Sequence, residues 1–98
     1  MEKVSITREM DARRGRYVAR IEGSSAEAEL TFIRAEPGVF VADHTLTPVP
    51  LRGRGIATQL VERLVSDARR EGFRIRPTCP FVVALFDHHP EWADLRVL

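Results

Sequence analysis

Hydrophobic and polar residues alternate along the first half of the chain with the period of two that β-strands show. Three segments carry this pattern and are predicted strands: Tyr17–Ile21, Ala26–Ala35 and Val39–Leu46. Turns are predicted before and between them, at the charged stretch Asp11–Gly15, at Gly23–Ser25 and at Glu36–Gly38. The first half of the chain therefore indicates neighbouring strands joined by short connections.

The period changes after Pro48 and Pro50, which end regular strand pairing because proline supplies no N–H. From Ile56 to about Arg70, apolar residues recur every three or four positions, which predicts an amphipathic helix. The polar face of this helix is predicted to hold Gln59, Glu62, Arg63, Asp67, Arg69 and Arg70, with Gly72 as its C-terminal cap. Beyond it, Phe73–Ile75 predicts a strand, Phe81–Phe86 fits a helix or a strand with a short helix favoured, and His89–Glu91 predicts a terminal helical turn.

This order of elements predicts an α+β fold, an α/β layer in which one central helix packs on a mostly antiparallel sheet. A short helical segment is expected at the C-terminus. With 98 residues, the chain fits a single domain spanning 1–98, built around one hydrophobic core.

Charge and cysteine content narrow the function classes. Fifteen basic and fourteen acidic residues leave a net charge of +1, which gives no bulk electrostatic reason to expect nucleic acid or a membrane surface as partner. The single cysteine excludes an internal disulfide, and no apolar run is long enough to cross a bilayer, so we expect a cytoplasmic protein. His88 and His89 are adjacent and lack further ligands at suitable spacing, so we expect a surface pair and no metal.

The loop between the last predicted strand of the first half and the helix carries the candidate chemistry. Gly53 and Gly55 let the backbone turn tightly and approach a ligand, and the first N–H groups of the helix have no partner inside it. Arg52 and Arg54 add forked donors that suit phosphate oxygens. The loop lacks the features of a Walker A motif and of a dinucleotide fingerprint. On residue chemistry alone, two interpretations stay open: a phosphate site and an ordinary tight turn before a helix.

Arg52-x-x-Gly55-x-Ala57, after a strand and at the start of a helix, resembles the acetyl-CoA loop of the GNAT acetyltransferase superfamily. That loop reads Gln/Arg-x-x-Gly-x-Gly/Ala. The resemblance extends over roughly residues 18–95 and matches the smallest GNAT-like proteins. The further positions that carry it are His44-Thr45, Pro48, Pro77-x-Cys79 and His89-Pro90-Glu91.

The resemblance implies a role for each matched position. The pyrophosphate of acetyl-CoA would be held by Arg52, Gly53, Arg54, Gly55, Ile56 and Ala57. The preceding strand, around Leu46 and Thr47, would separate from its neighbour and pair with the pantetheine arm. Cys79 would lie near the thioester, and His44 would act as general base.

Each catalytic assignment has a structural alternative. Cys79 could be a buried, inert thiol, and His44 could simply form hydrogen bonds within the sheet. In a regular strand Asp43 points to the face opposite His44, so we expect the two not to act together. Many GNAT enzymes protonate the leaving CoA thiolate with a tyrosine late in the chain, whereas the single tyrosine here is Tyr17.

The sequence therefore predicts an acetyl-CoA-dependent N-acetyltransferase that acts on an amine, either of a small molecule or of a protein lysine. The alternative is a CoA-binding or protein-interaction module with little or no catalysis, which the missing tyrosine and the small size motivate.

Overall fold

A computed structural model describes residues 3–98 of the chain. Five strands form one sheet: β1 Val4–Met10, β2 Arg14–Ile21, β3 Glu27–Glu36, β4 Val39–Leu46 and β5 Arg74–Pro77. Their order in the sheet is β1-β2-β3-β4-β5, and the first four pair as antiparallel neighbours. Helix α1, Ile56–Glu71, connects β4 to β5, which runs parallel to β4. Helix α2, Pro80–His88, and a 3₁₀ helix, Pro90–Leu95, complete the chain.

This architecture confirms the predicted α+β fold with its mostly antiparallel sheet, central helix and short C-terminal helical segment. The favoured helix at Phe81–Phe86 is present as α2. Strand β1 was not predicted from the sequence. Its alternation is obscured because Arg8 occupies a position of the face turned towards α1, opposite Tyr17, where an apolar residue would be expected.

One face of the sheet supplies the hydrophobic core together with α1 and the C-terminal helices. From the sheet, the core takes Tyr17, Ala19, Ala28, Leu30, Phe32, Phe40, Ala42 and Ile75, and from the helices Leu60, Val61, Leu64, Val82, Phe86 and Trp92. Phe40 stacks between Phe32 and Phe73, with ring centroids 4.5 and 3.9 Å away. The opposite face, called the outer face below, carries charged and polar side chains such as Arg16, which bonds Glu9 and Glu29.

A buried carboxylate joins the first two strands to α1. Asp67 was predicted on the polar face of the helix, but it is fully buried. Its oxygens accept hydrogen bonds from the Tyr17 hydroxyl at 2.8 Å, from Arg8 at 3.1 Å and from Arg63 at 3.2 Å, and Arg70 forms a further ion pair. Burial alone would raise the pKa of Asp67. The hydrogen bonds from Tyr17 and Arg63 and the charge of Arg8 outweigh burial and lower it.

We predict that Asp67→Asn destabilises the folded protein by about 3 kcal/mol at neutral pH, because it leaves the surrounding arginines without their buried counter-charge. The pKa of Asp67 is lowered on folding, so its stabilising effect is present above the unfolded value of about 3.9 and is lost as pH falls through the folded value. Urea unfolding from pH 7 to pH 3 should therefore show the difference between wild type and variant shrinking towards acid.

Asp94→Asn is the matched control, because Asp94 also pairs with an arginine, Arg69, but at an exposed position. We expect a much smaller loss for this variant. Equal losses for the two variants, or a difference for Asp67 that does not depend on pH, would contradict the role assigned to the buried carboxylate.

Candidate functional site

The loop between β4 and α1 folds as the two glycines require. A 3₁₀ turn, Val49–Leu51, follows the strand. Gly53 and Gly55 then take φ values of 76° and 72°, in the left-handed region that glycine adopts most readily. Gly55 is the N-cap of α1, and its carbonyl accepts the first helical hydrogen bond, from the Gln59 N–H at 3.1 Å.

The N-terminus of α1 has the character of an anion site. The N–H groups of Ile56, Ala57 and Thr58 precede the first helical bond, so they have no partner inside the helix. Within the described chain, no side chain caps this end and its first turn contains no acidic residue. The positive end of the helix dipole is therefore not compensated by an acidic side chain of the first turn and favours binding of an external anion.

A groove of about 230 Å³ opens at this helix end. It is lined by Thr47, Leu51, Arg52, Gly53, Gly55, Ile56, Ala57, Thr58 and Phe81. Arg52 is held in place because its Nε donates to the Thr47 carbonyl at 2.9 Å. Leu46 and Arg54, also predicted to bind the cofactor, are exposed and are not among the lining residues. Phe81 was not predicted as a site residue, because only the fold brings α2 to this groove.

The pairing of β4 with β5 ends beside this groove. The parallel register runs from Val39 opposite Arg74 to Ala42 opposite Pro77. The Ala42 carbonyl then accepts the N–H groups of Thr78 and Cys79, both at 3.0 Å, and the chain turns into α2. Strand β4 continues to Leu46 paired with β3 alone. The edge of β4 beyond Ala42 is thereby left without β5 as a partner. The two strands separate earlier in β4 than Leu46 and Thr47, around which the separation was predicted, and pairing of that segment with the pantetheine arm stays a prediction.

Cys79 lies at this divergence as the N-cap of α2. It is almost fully buried, and its Sγ is 3.5 Å from the Thr45 hydroxyl of β4. Burial by itself raises the pKa of the thiol, but hydrogen bonds from the Thr45 hydroxyl and from the backbone N–H groups of Val82 and Phe81 lower it below its usual value. The thiolate, the nucleophilic form of cysteine, therefore forms more easily here than in an ordinary cysteine.

Strand β4 is not regular at His44. His44 pairs with Thr31 and Ala42 pairs with Phe32, so Asp43 between them is an extra residue, a β-bulge. The Thr31 hydroxyl is 2.8 Å from an Asp43 carboxylate oxygen, which places Asp43 on the same face as Thr31 and its partner His44. The condition under which Asp43 and His44 would point apart, a regular strand, is therefore not met.

His44 and Cys79 approach β4 from different sides. The side chain of Thr45 contacts Cys79, and neighbouring residues of a strand point to opposite faces. His44 is exposed on the outer face, so the two candidate catalytic residues do not contact each other directly across Thr45. The hydroxyl of Tyr17 donates a hydrogen bond to Asp67, and burial raises the pKa of Tyr17, so we assign this tyrosine no role beside His44 and Cys79.

Comparison with known families identifies the family of the chain. A family model described as GCN5-related N-acetyl-transferase matches residues 16–95. The chain belongs to the GCN5-related N-acetyltransferase family. Membership supports acetyl transfer as the general activity, with acetyl-CoA as the co-substrate that the family uses.

A solved structure supports the fold. The NMR solution structure of a GCN5-like protein from Staphylococcus aureus, named as a candidate N-acetyltransferase, matches with a TM-score of 0.68 at 20% identity. The match covers 93% of this chain and 87% of the other. The comparison with curated proteins gave no match.

Two further features of residues 3–98 bear on partners. Among these residues, His, Cys, Asp and Glu side chains nowhere gather in the groups of three or more that could hold a metal ion. None of the helices in the same range combines the length and the apolar composition required to span a membrane.

His89 was expected to be a surface residue, but it is only partly exposed, because its ring stacks on Trp92 at a centroid distance of 4.0 Å and its Nδ1 lies 2.9 Å from a carboxylate oxygen of Glu91.

We predict that Thr45→Val slows alkylation of Cys79 at neutral pH about fivefold, the factor that corresponds to losing a net hydrogen bond of about 1 kcal/mol to the thiolate. The rate of reaction with iodoacetamide as a function of pH gives the pKa of the thiol, which should rise in the variant. Thr78→Val is the matched control, since the Thr78 hydroxyl donates to the Ala42 carbonyl and not to sulfur. Identical pH profiles for all three proteins would contradict the assigned hydrogen bond.

Proposed function

We propose that this protein is an acetyl-CoA-dependent N-acetyltransferase in which Cys79 receives the acetyl group before an amine does. The observation that carries the proposal is the convergence of three features at the end of β4. These are a helix N-terminus without a side-chain cap, a strand edge that has no β5 partner beyond Ala42, and a cysteine with a lowered pKa. The second catalytic residue in this proposal is His44.

The residues at the loop fit the pyrophosphate of acetyl-CoA. A Cβ placed on Gly53 or Gly55 would meet no other atom within 4 Å, so the space beside both glycines is open. A phosphate there would lie against the N–H groups of the first turn of α1, with Arg52 fixed beside it by its bond to Thr47. The extended pantetheine arm would then follow the edge of β4 beyond Ala42, where backbone groups have no β5 partner.

This path leads to Cys79. Its thiolate would attack the acetyl carbonyl, a new carbon–sulfur bond would form to Cys79, and the CoA thiolate would leave and take up a proton from water. The amine would then attack acetyl-Cys79, forming the amide bond and returning the thiolate. In this scheme a tyrosine near the leaving group is not needed, because water protonates the departing thiolate.

His44 is suited to receive the proton of the amine. It is exposed on the outer face, so an acceptor can reach it without passing the buried side of β4. We assign it the role of general base for the acceptor and not for Cys79, because Thr45 occupies the side of β4 that faces the thiol. A protein lysine or a small amine satisfies this chemistry equally.

We predict that acetyl-CoA adds one acetyl group to the protein, detected by intact-mass spectrometry, and that Cys79→Ala removes the adduct. Since the chain has one cysteine, a thioester adduct released by hydroxylamine can only lie at Cys79. Turnover on an amine that persists in Cys79→Ala without any adduct would overturn the covalent route. Binding of acetyl-CoA with neither adduct nor turnover would favour the alternative of a CoA-binding module, which the engagement of Tyr17 with Asp67 motivates.

We predict that Ala57→Glu weakens acetyl-CoA binding tenfold or more, about 1.4 kcal/mol, measured by titration calorimetry. A carboxylate in the first turn of α1 favours the helix dipole but repels a pyrophosphate at the same place, so folding should be preserved. Ser66→Glu adds the same charge at an exposed position further along α1 and should bind as wild type does. Equal affinities of the two variants for acetyl-CoA would show that the pyrophosphate does not bind at this helix end.

A further inference from the structure

A second and larger groove lies away from the loop of α1. Its volume is about 770 Å³, and it is formed at the turn between β1 and β2 and along the outer face of the sheet. Arg13 and Arg14 line it at the turn, and Asp43 lines its other end, with Ile33 between them. Asp43 is the residue that the bulge places on the same face as His44. The groove therefore ends beside the proposed general base.

The charges in this groove are separated. Glu9 is paired with Arg16, and the carboxylate of Asp11 accepts the backbone N–H groups of Arg13 and Arg14 at 2.8 and 3.0 Å. Those acidic groups are thus already engaged.

In the described part of the chain, Asp43 has the Thr31 hydroxyl as hydrogen-bond partner and takes part in no ion pair. The guanidinium groups of Arg13 and Arg14 attract the Asp11 carboxylate of the same turn, but neither forms an ion pair with a described residue. The groove therefore offers a negative end at Asp43 and a positive end at the two arginines, each open to a ligand.

Strand register fixes the separation of these two ends. Arg14 pairs with Ile33, and Ile33 pairs with Val41, two residues before Asp43. Neighbouring strands are about 4.8 Å apart and successive residues about 3.3 Å, so the Cα atoms of Arg14 and Asp43 are roughly 12 Å apart. A ligand that contacts both ends must carry opposite charges. Their separation must be somewhat shorter than this Cα–Cα distance, because the side chains of Arg14 and Asp43 cover part of it.

We propose that this groove binds the acetyl acceptor and selects an amine that carries an anionic group roughly 10 Å away, as the N-terminal ammonium and C-terminal carboxylate of an extended tripeptide do. This inference rests on the proposed function. The ammonium lies at Asp43, where His44 can take its proton, and the anion lies at Arg13 and Arg14. The amine would reach acetyl-Cys79 past the edge of β4 beyond Ala42, where β5 no longer pairs with that strand.

The test uses three peptides of equal length, so that only the end charges differ. Triglycine carries both charges, triglycine amide lacks the carboxylate, and N-acetyltriglycine lacks the ammonium. In ¹⁵N-resolved NMR titrations of the whole protein, we expect triglycine to shift the amide signals of Arg14, Ile33 and Asp43 and to bind about fivefold more tightly than either blocked peptide, as exposed ion pairs of up to about 1 kcal/mol allow. Equal binding of the three peptides, or no shifts in these residues, would overturn the proposal.

Single-residue variants test whether the preference for triglycine over the blocked peptides arises in this groove. Asp43→Asn and Arg14→Gln should each reduce triglycine binding to the level of the matching blocked peptide. Arg20→Gln is the matched control, because Arg20 lies on the same strand and pairs with Glu27 outside the groove, and it should bind as wild type does. A control that loses binding equally would show a non-specific charge effect and would overturn the proposal.

Formation of acetyl-Cys79 in the same variants separates this proposal from the one on which it rests. We expect the adduct to form at the wild-type rate in Asp43→Asn and Arg14→Gln, since neither residue lines the groove at α1. Absence of the adduct in wild type, with peptide discrimination intact, would count against the proposed catalytic route and still support a site for bipolar ligands. A normal adduct without peptide discrimination would overturn the acceptor groove alone.

Discussion

The site depends on where two parallel strands stop pairing. The carbonyl of Ala42 accepts three hydrogen bonds, from the N–H groups of Thr78 and Cys79 and from the Thr78 hydroxyl. These bonds turn the backbone away from β4, so β5 does not continue past Pro77. Because the chain leaves the sheet there, β4 has no β5 partner beyond Ala42, α2 starts at Pro80, and Cys79 lies at the point of separation, hydrogen-bonded to Thr45. The same strand leads through its 3₁₀ turn to the uncapped N-terminus of α1, so the helix end and the thiol both lie close to this divergence.

This arrangement divides the proposed chemistry between two sides of β4. The donor side contains the α1 groove and Cys79, whereas the bulge at Asp43 turns Asp43 and His44 towards the outer face. In the proposed mechanism, the donor and the acceptor therefore reach β4 from different directions. Stability for so small a sheet comes partly from the network at Asp67, which attaches the first two strands to α1 on the far side from the chemistry.

Features set by local sequence could be predicted, and features set by tertiary pairing could not. The period of the apolar residues in α1 and the glycines of the loop are local signals, and they predicted the helix and the turn that the structure contains. The phosphate site at the same loop stays a prediction. Three other features depend on partners distant in sequence. Asp67 is buried by Arg8 and Tyr17, the bulge at Asp43 arises from register against β3, and Phe81 reaches the groove only because β5 ends early.

The most direct test of the central claim is a crystal structure of the Cys79→Ser variant with acetyl-CoA, since the substitution keeps the size of the side chain and blocks rapid transfer. The account predicts the pyrophosphate within hydrogen-bond distance of the N–H groups of Ile56 and Ala57, the pantetheine arm along β4 beyond Ala42, and the thioester carbonyl next to residue 79. Acetyl-CoA bound elsewhere, or bound at the loop with its thioester directed away from residue 79, would contradict it.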